Sequence, residues 1–325
     1  MLHKLLGLPL NASAQGGAID ELNGWVHLLM LVLFVGWGLF FAYILFRFRS
    51  GKHPKADHDG VQSHASSYLE AGIAVIEIIL LVALSIPFWS KKVSAFPTDP
   101  KTQHMRVIGQ QFRWVVHYPG LDGKFGAADS KLITDDNPIG LNRKSPGGKD
   151  DVELVGQLYV PVNCPVILEI ATTDVIHSFW MPYLRVKQDT IPGMRIPIYF
   201  TATSTSDELR AVQAFTSPLP GKINWGQGLY AATQDYKGKD GKVVAYKDGL
   251  TPGGDRLPLS DTSVKKLIAD GITEVHAAPL YPVEIACAQL CGINHFKMKG
   301  FVNILTDEEF KKWYADAVEE AKSSE

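Results

Sequence analysis

The chain has 325 residues, enough for one or two domains with a substantial core. Its net charge of −2 gives no basis for nucleic-acid binding. The three cysteines, Cys164, Cys287 and Cys291, are too few for a disulfide framework. Apolar residues are concentrated in two blocks near the N-terminus, so the rest of the chain must supply a water-soluble domain.

Two apolar runs near the N-terminus predict a membrane anchor. Residues 25–46 contain no Asp, Glu, Lys or Arg, and a helix of this length spans roughly 33 Å, enough to cross the hydrocarbon core of a bilayer. Residues 71–89 form a second run that is interrupted by one charge, Glu77. We therefore expect a transmembrane helical hairpin over residues 25–92.

The distribution of basic residues predicts how this hairpin is oriented. Residues 1–24 contain one Lys or Arg, Lys4, against Asp20 and Glu21. The linker between the two runs contains four basic side chains: Arg47, Arg49, Lys52 and Lys55. The positive-inside rule then places the linker in the cytoplasm and both termini outside. We expect a two-pass protein of a bacterial inner membrane, with residues 1–24 and the large C-terminal domain in the periplasm.

The sequence changes character from Met105 onward, where short β-like runs alternate with Gly, Pro and Asp. Such runs predict an all-β Greek-key sandwich or barrel, here over residues 104–305. Residues 119–151 are rich in Gly, Asp and Lys and predict a long surface loop, while residues 206–280 indicate an insertion into the sandwich. A capping-box pattern opens a final amphipathic helix over residues 306–325.

The most informative segment runs from Cys287 to Met298 and contains two cysteines, a histidine and a methionine. Thiolate, imidazole and thioether are soft or borderline ligands that favour copper. Cys287 and Cys291, four residues apart on a loop, can both bridge a pair of copper ions. His295 and Met298 follow at a spacing that can return them to the same loop. A second imidazole, His177, ends a strand-like run elsewhere in the domain.

Other interpretations of this segment use fewer of its side chains. A Cys287–Cys291 disulfide stays open as an alternative, but it leaves His295 and Met298 without a role. Zinc does not require Met298, and a mononuclear blue-copper site needs one cysteine and leaves the other spare. The chain contains no Cys-x-x-Cys-His motif for covalent haem c. A two-copper site uses every candidate ligand.

With these motifs the chain resembles subunit II of the cytochrome c oxidases, in the haem–copper oxidase family. The resemblance covers the helical hairpin and most of the outer domain. Its motifs lie at residues 110–114, 160–163, 174–179, 187–189, 192–193 and 287–298. It implies a cupredoxin-like fold for the outer domain. It also implies a binuclear CuA centre that accepts electrons from cytochrome c and passes them to haem in subunit I, where O₂ reduction is coupled to proton pumping.

The resemblance assigns a ligand to each copper. The implied metal ligands are His177, Cys287, the carbonyl of Gln289, Cys291, His295 and Met298. The two cysteines match the bridging thiolates, His177 and Met298 match the ligands of one copper, and His295 with the carbonyl matches those of the other. The family usually has Glu in place of Gln289, with a side chain that also reaches a Mg²⁺ or Mn²⁺ shared with subunit I. A neutral amide is a weaker ligand for such a cation, which weakens the case for that second site.

Four further positions bear on electron and proton transfer. Phe112 stands where the family usually has the Trp through which cytochrome c hands over its electron. Trp114 matches a second family aromatic, and a core aromatic is an equally good interpretation. Glu70 matches the carboxylate at the entrance of a proton channel. Glu77 lies deeper in the apolar run and should face a protein partner or water, because a carboxylate in lipid is costly.

The resemblance implies a subunit of a proton-translocating oxidoreductase that performs no oxygen chemistry itself. Its expected partners are the haem-bearing subunit I, other oxidase subunits, a cytochrome c donor and membrane lipid, and no nucleic acid. Residues 206–280 have no counterpart in a minimal subunit II. A decorated surface is the plain interpretation of this insertion. The sharper hypothesis is that it docks an unusual donor, such as a cytochrome c held in a larger respiratory assembly. A quinol oxidase subunit II shares the fold but would lack the copper ligands present here.

Overall fold

The computed structural model describes residues 6–52, 54–55, 58–59, 63–251 and 257–323. Lys4 and residues 252–256, which entered the predictions of orientation and of the insertion, lie outside the described residues. The chain divides into a helical unit, Met1–Leu10 with Gln15–Phe96, and a β-rich unit, Asn11–Ala14 with Pro97–Glu325.

The helical unit contains two long apolar helices, α1 (Gly16–Arg47) and α2 (Ala65–Ser94). At about 1.5 Å per residue they measure roughly 48 and 45 Å, more than the hydrocarbon core requires. Their apolar side chains are exposed on all sides, as suits a helix surrounded by lipid. The expected pair of apolar helices is confirmed, and both have the length and composition to cross a membrane.

The β-rich unit is built from ten main strands. They are β1 (Gln103–Gln110), β2 (Arg113–Tyr118), β3 (Val152–Val155), β4 (Gln157–Pro161), β5 (Pro165–Thr172), β6 (His177–Met181), β7 (Val186–Thr190), β8 (Ile196–Thr201), and, after an insertion, β14 (Glu284–Cys287) and β15 (Lys299–Leu305). They form two five-stranded sheets, in the orders β3-β2-β1-β5-β8 and β4-β15-β14-β6-β7. Neighbours are antiparallel except β1 with β5 and β4 with β15. The predicted all-β, cupredoxin-like sandwich is confirmed.

Alternate side chains of the two sheets meet in one hydrophobic core. Met105 and Val107 on β1 point inward, two residues apart, because successive strand side chains face opposite sides. They belong to the same buried cluster as Leu158, Phe179 and Ile304 of the second sheet. This cluster also contains the two cysteines of the predicted copper loop, so the candidate site is continuous with the core.

Residues 206–280 contain a second, smaller core. Their elements are α3 (Ser206–Gln213), β9 (Phe215–Pro218), β10 (Tyr230–Ala232), β11 (Tyr236–Lys237), β12 (Val243–Ala245), α4 (Asp261–Ala269) and β13 (Glu274–Pro279). Strands β10, β13 and β9 form a sheet, and Trp225, Leu267 and Val275 are among the side chains buried beside it. This core was not predicted, because strands of two to six residues are too short to show a clear alternation.

The predicted surface loop over residues 119–151 is fastened to the sheet by buried polar contacts. His117 Nε2 lies 2.5 Å from Asp151 Oδ2, and both side chains are buried. The same carboxylate accepts a hydrogen bond from the amide of Gly126 at 2.8 Å. Arg143 donates to the main-chain carbonyl of Asp151 at 3.0 Å.

The last helix, α5 (Asp307–Ser323), follows β15 and stacks Trp313 on Tyr159, with ring centroids 4.1 Å apart.

Glu153 lies on β3 opposite His117. Its carboxylate is buried, and few hydrogen bonds or positive charges offset the cost of removing that charge from water. One of its oxygens has no hydrogen-bond partner in the described part of the chain, and the guanidinium of Arg143 lies 3.9 Å from the other. Burial raises the pKa of Glu153 to about 7, while Arg143 opposes this rise and Asp151 adds to it.

We predict that Glu153→Gln raises the melting temperature of the β-rich unit at about pH 8 but not at about pH 4.5. A carboxyl group whose pKa is higher in the folded chain than its ordinary 4.5 destabilises the fold as the pH rises from 4.5 to about 7. Glutamine removes that titration. We expect a rise of roughly 2–4 °C, equivalent to about 1 kcal/mol, in circular-dichroism melts of the full chain in detergent. An equal change at both pH values would contradict the assignment.

Candidate metal centre

The register of β6 and β14 places His177 beside Cys287. Phe179 on β6 lies opposite Cys287, the last residue of β14. Side chains two residues apart on a strand share a face, so His177 extends past the end of β14 on the same side. Its side chain is fully buried, and its Nδ1 lies 3.9 Å from Cys287 Sγ.

The other candidate ligands lie on the turn between β14 and β15. Ala286 on β14 pairs with Lys299 on β15. The amide of Cys287 donates to the carbonyl of Met298 at 3.3 Å, which closes the turn and returns Met298 beside Cys287. A short 3₁₀ segment, His295–Lys297, leads back into β15. The turn therefore folds back on itself.

The donor atoms of this turn gather around the two sulfurs. Cys287 Sγ and Cys291 Sγ are 3.8 Å apart. Cys291 Sγ also lies 3.4 Å from His295 Nδ1 and 3.8 Å from Met298 Sδ. Cys287 Sγ lies 3.2 Å from the main-chain oxygen of Gln289. Together with the histidine at the start of β6, every ligand that the sequence indicated lies in one cluster.

The chemistry of this cluster fits copper, and the spacing of its sulfurs fits a metal ion bound to both of them. Thiolate, imidazole and thioether donors select copper over hard cations. Two sulfurs bound to one tetrahedral ion at about 2.3 Å would lie about 3.8 Å apart, and this is the distance between Cys287 and Cys291. Both are free thiols in the structure. His177, Cys287, Cys291 and Met298 are buried, with Cys287 the most exposed of them at 9%, whereas His295 is partly exposed and Gln289 lies at the surface.

The two thiols differ in acidity. Burial acts to raise the pKa of Cys287, but hydrogen bonds, with that of His177 the largest, lower it to about 6. Burial and the neighbouring Cys287 raise the pKa of Cys291 to about 11. Near neutral pH the metal-free cluster therefore holds one thiolate and one thiol, and binding a metal to both sulfurs releases the second proton.

Asp174 orients the histidine. Its Oδ1 lies 2.8 Å from His177 Nε2, which leaves Nδ1 to face the sulfurs as the ligand atom. The carboxylate also accepts hydrogen bonds from the amides of Gln111 (2.6 Å) and Val175 (2.7 Å) and the hydroxyl of Thr172 (3.1 Å). Burial acts to raise the pKa of Asp174, but its hydrogen bonds with His177, Gln111 and Val175 hold the pKa below its usual range. This role was not predicted, although a carboxylate three residues before a ligand histidine is a signal for it.

The two aromatic candidates for electron transfer occupy different environments. Trp114 is fully buried, and its ring packs edge-on against His177 and Phe179, with centroids 5.9 and 5.3 Å away. Phe112 is half-buried on the β1–β2 turn. A Cβ added to Gly292 would lie 3.0 Å from its ring, so Phe112 touches the ligand turn. Their roles in electron transfer stay predictions.

The two predicted proton-path carboxylates lie in the helical unit. Glu70 and Glu77 are two helical turns apart on α2, and both are exposed there. Neither belongs to the donor cluster. An exposed carboxylate within an apolar helix needs a polar partner when the helix lies in lipid, and another subunit could supply one. The roles of Glu70 and Glu77 in proton transfer stay predictions.

We predict that Cys287 of the metal-free chain is alkylated faster than Cys291 at about pH 7. The thiolate is the nucleophile, and Cys287 is already mostly ionised at that pH. Its rate should change little up to about pH 9, whereas that of Cys291 should keep rising. Iodoacetamide labelling with peptide mass spectrometry measures both, and Cys164, whose pKa is raised by burial, is the slow control. Equal rates at both sites would contradict the assignment.

We predict that Asp174→Asn lowers copper affinity by roughly 10–100-fold, the usual effect of removing the carboxylate behind a ligand histidine. No ligand atom is removed, so some binding should persist. Competition with a copper chelator on the detergent-purified chain measures the change. Asp135→Asn is the matched control, because Asp135 is exposed in the loop over residues 119–151. Wild-type affinity in the Asp174 variant would contradict the orienting role.

Comparison with curated proteins identifies second subunits of cytochrome c oxidases and of a quinol oxidase. The chain is 32% identical over 179 residues to the alternative cytochrome c oxidase subunit 2 of Bradyrhizobium diazoefficiens, covering 55% of this chain and 63% of the relative. It is 26% identical over 211 residues to cytochrome c oxidase subunit 2 of Cereibacter sphaeroides, covering 60% and 66%. It is 21% identical over 187 residues to quinol oxidase subunit 2 of Bacillus cereus, covering 56% and 54%. The chain thus spans somewhat less than two thirds of these relatives.

Among solved structures, the periplasmic domain of subunit II of cytochrome oxidase (CoxB) of Bradyrhizobium japonicum is 18% identical, covers 69% of this chain and 97% of its own, and superposes with a TM-score of 0.33. Residues 103–206 match the family model described as the cytochrome c oxidase subunit II periplasmic domain. That match begins with β1 and includes His177. The resemblance to subunit II of the cytochrome c oxidases that the sequence showed is confirmed by this domain match and by the relatives named above.

Proposed function

We propose that this chain is the subunit that receives electrons in a haem–copper cytochrome c oxidase, and that its donor cluster holds two copper ions as a binuclear CuA centre. The observation that carries the proposal is the 3.8 Å approach of two free thiols, Cys287 and Cys291, with imidazole and thioether donors at 3.4–3.9 Å from them. When bound, such a copper pair takes up and releases one electron at a time.

Each donor has a distinct part in this proposal. The two cysteines would bridge both ions as thiolates. The remaining donors divide between the ions: His177 and Met298 for one, His295 and the carbonyl of Gln289 for the other. Every donor set contains a soft or borderline atom, which favours copper over a hard cation.

The surrounding fold limits how far these ligands can move. His177 and Cys287 belong to paired strands of one sheet, and Met298 is tied to Cys287 through the main chain. Side chains on rigid strands hold a ligand geometry more tightly than free loops do. Four of the donors, His177, Cys287, Cys291 and Met298, are also shielded from solvent, so a change of charge at the centre would require little rearrangement on that side.

The ligand turn also presents an apolar surface. Leu290, Ile293 and Phe296 are 77%, 88% and 70% exposed, and large exposed apolar groups that cluster on one turn are typical of a contact with another protein. We propose that a cytochrome c donor or the haem-bearing subunit I covers this surface. Phe112, which touches the turn, is the proposed point where the electron enters.

The helical unit supports a membrane location. We propose that α1 and α2 cross the bacterial inner membrane, with the basic linker in the cytoplasm and both termini and the copper domain in the periplasm. In that arrangement Glu70 would lie near the cytoplasmic mouth of a proton path shared with subunit I. The exposed neutral side chain of Gln289 favours a weak or absent Mg²⁺ or Mn²⁺ site.

Cytochrome c rather than quinol is the donor that the cluster favours. One relative is named as a quinol oxidase subunit 2, at 21% identity. A quinol-oxidising complex has no need for soft donors in this domain. Here both cysteines, both histidines and Met298 are present and converge.

We predict that the full chain, purified in detergent with its thiols reduced and the reductant then removed, binds one Cu(I) and one Cu(II) per chain and turns purple, with a mixed-valence EPR spectrum. Cys291→Ser should abolish this spectrum because it removes a bridging thiolate. Cys164→Ser should leave it unchanged, because Cys164 lies outside the donor cluster and its thiol donates to the carbonyl of Lys101 at 2.9 Å. A chain that stays colourless after this loading, with its copper removed by gel filtration and both thiols still free to react, would overturn the proposal.

A further inference from the structure

The ligands of the proposed centre lie on two segments that are far apart in sequence. One segment follows β5 and carries Asp174 and His177. The other is the turn after β14, which carries Cys291. The two-residue turn between β1 and β2, Gln111 and Phe112, lies between these segments.

Gln111 bonds to both segments at once. Its main-chain amide donates to Asp174 Oδ2 at 2.6 Å, and its side-chain Nε2 donates to the main-chain carbonyl of Cys291 at 2.6 Å. The first bond reaches the carboxylate that holds His177. The second fixes the peptide that follows the cysteine.

The contact with Cys291 matters because its sulfur touches the most donors. Cys291 Sγ lies 3.8 Å from Cys287 Sγ, 3.4 Å from His295 Nδ1 and 3.8 Å from Met298 Sδ. A shift of its main chain would therefore change several donor distances together.

The next residue shows how closely the ligand turn sits on Gln111. Gly292 has φ 137°, a conformation that side chains rarely adopt, and an added Cβ would lie 2.9 Å from Gln111 Nε2 and 3.0 Å from the Phe112 ring. Glycine at this position lets the carbonyl of Cys291 reach the amide of Gln111.

We propose that Gln111 is a positioning residue of the copper centre: its side-chain amide holds the carbonyl of Cys291 while its main-chain amide holds Asp174, which couples the ligand turn to the histidine segment. The inference rests on the proposed copper-binding function. Gln111 contacts no proposed ligand atom, so it acts through the residues that it holds. Loss of such outer contacts typically costs 10–100-fold in metal affinity.

The neighbouring Gln110 provides a matched control. Its Nε2 donates to the carbonyl of Pro138 at 2.6 Å, and its Oε1 accepts from Arg113 Nε at 3.0 Å. Both bonds lead away from the donor cluster, toward the loop over residues 119–151 and the start of β2. The two glutamines thus have the same side-chain chemistry but bond to different parts of the domain.

The test compares three variants of the full chain in detergent: Gln111→Met, Gln111→Asn and Gln110→Met. Methionine keeps the length of the side chain without a donor, and asparagine keeps the amide but is one methylene too short to reach Cys291. The measurements are the rate of copper loss to a chelator, the copper hyperfine pattern in EPR, and the melting temperature of the metal-free chain.

We expect both Gln111 variants to lose copper about 10-fold faster than the wild type, with an altered hyperfine pattern and a nearly unchanged metal-free melting temperature. Gln110→Met should keep the wild-type rate and spectrum. Wild-type rates of copper loss and wild-type spectra in both Gln111 variants would overturn the inference, and so would an equal effect in Gln110→Met. Neither result would argue against the copper site itself. A wild-type chain that takes up no copper pair would overturn the proposed function and this inference with it.

Discussion

The hydrogen bond from the amide of Cys287 to the carbonyl of Met298 closes the turn that carries most of the donor atoms. It continues the pairing of β14 with β15, and β14 is in turn aligned with β6. A slip of one residue between β14 and β6 would move Cys287 to the opposite face of the sheet, away from His177. The convergence of the donor atoms therefore depends on a strand register that the hydrophobic core of the sandwich enforces.

Around this turn the fold supplies a second layer that fixes orientation. Asp174 selects the nitrogen of His177 that faces the sulfurs, and Trp114 packs behind the ring. Gly109 allows the close approach, because a Cβ there would lie 3.0 Å from the imidazole and 3.1 Å from the Trp114 ring. Because the His177 ring is buried and held from both sides, it can move little when the charge of a bound metal changes. Small movements of this kind suit an electron carrier better than a Lewis-acid catalyst.

The sequence was sufficient for the fold class and for the identity of the candidate ligands. Soft donors at Cys287, Cys291, His295 and Met298 are a chemical signal that needs no coordinates, and apolar runs over residues 25–46 and 71–89 are long enough to predict membrane helices. The contacts that support the ligands could not be predicted from the sequence. The bond from Gln111 to Cys291 joins residues 180 positions apart, and the small core within residues 206–280 is built from strands too short to show a period.

Copper K-edge X-ray absorption with metal analysis, on the full chain loaded in detergent, would show directly whether the donor cluster binds a pair of copper ions. We expect two coppers per chain, each with two sulfur neighbours at thiolate distance and with a second copper nearby. One copper per chain with a single thiolate sulfur, or copper with only nitrogen and oxygen neighbours, would contradict this expectation.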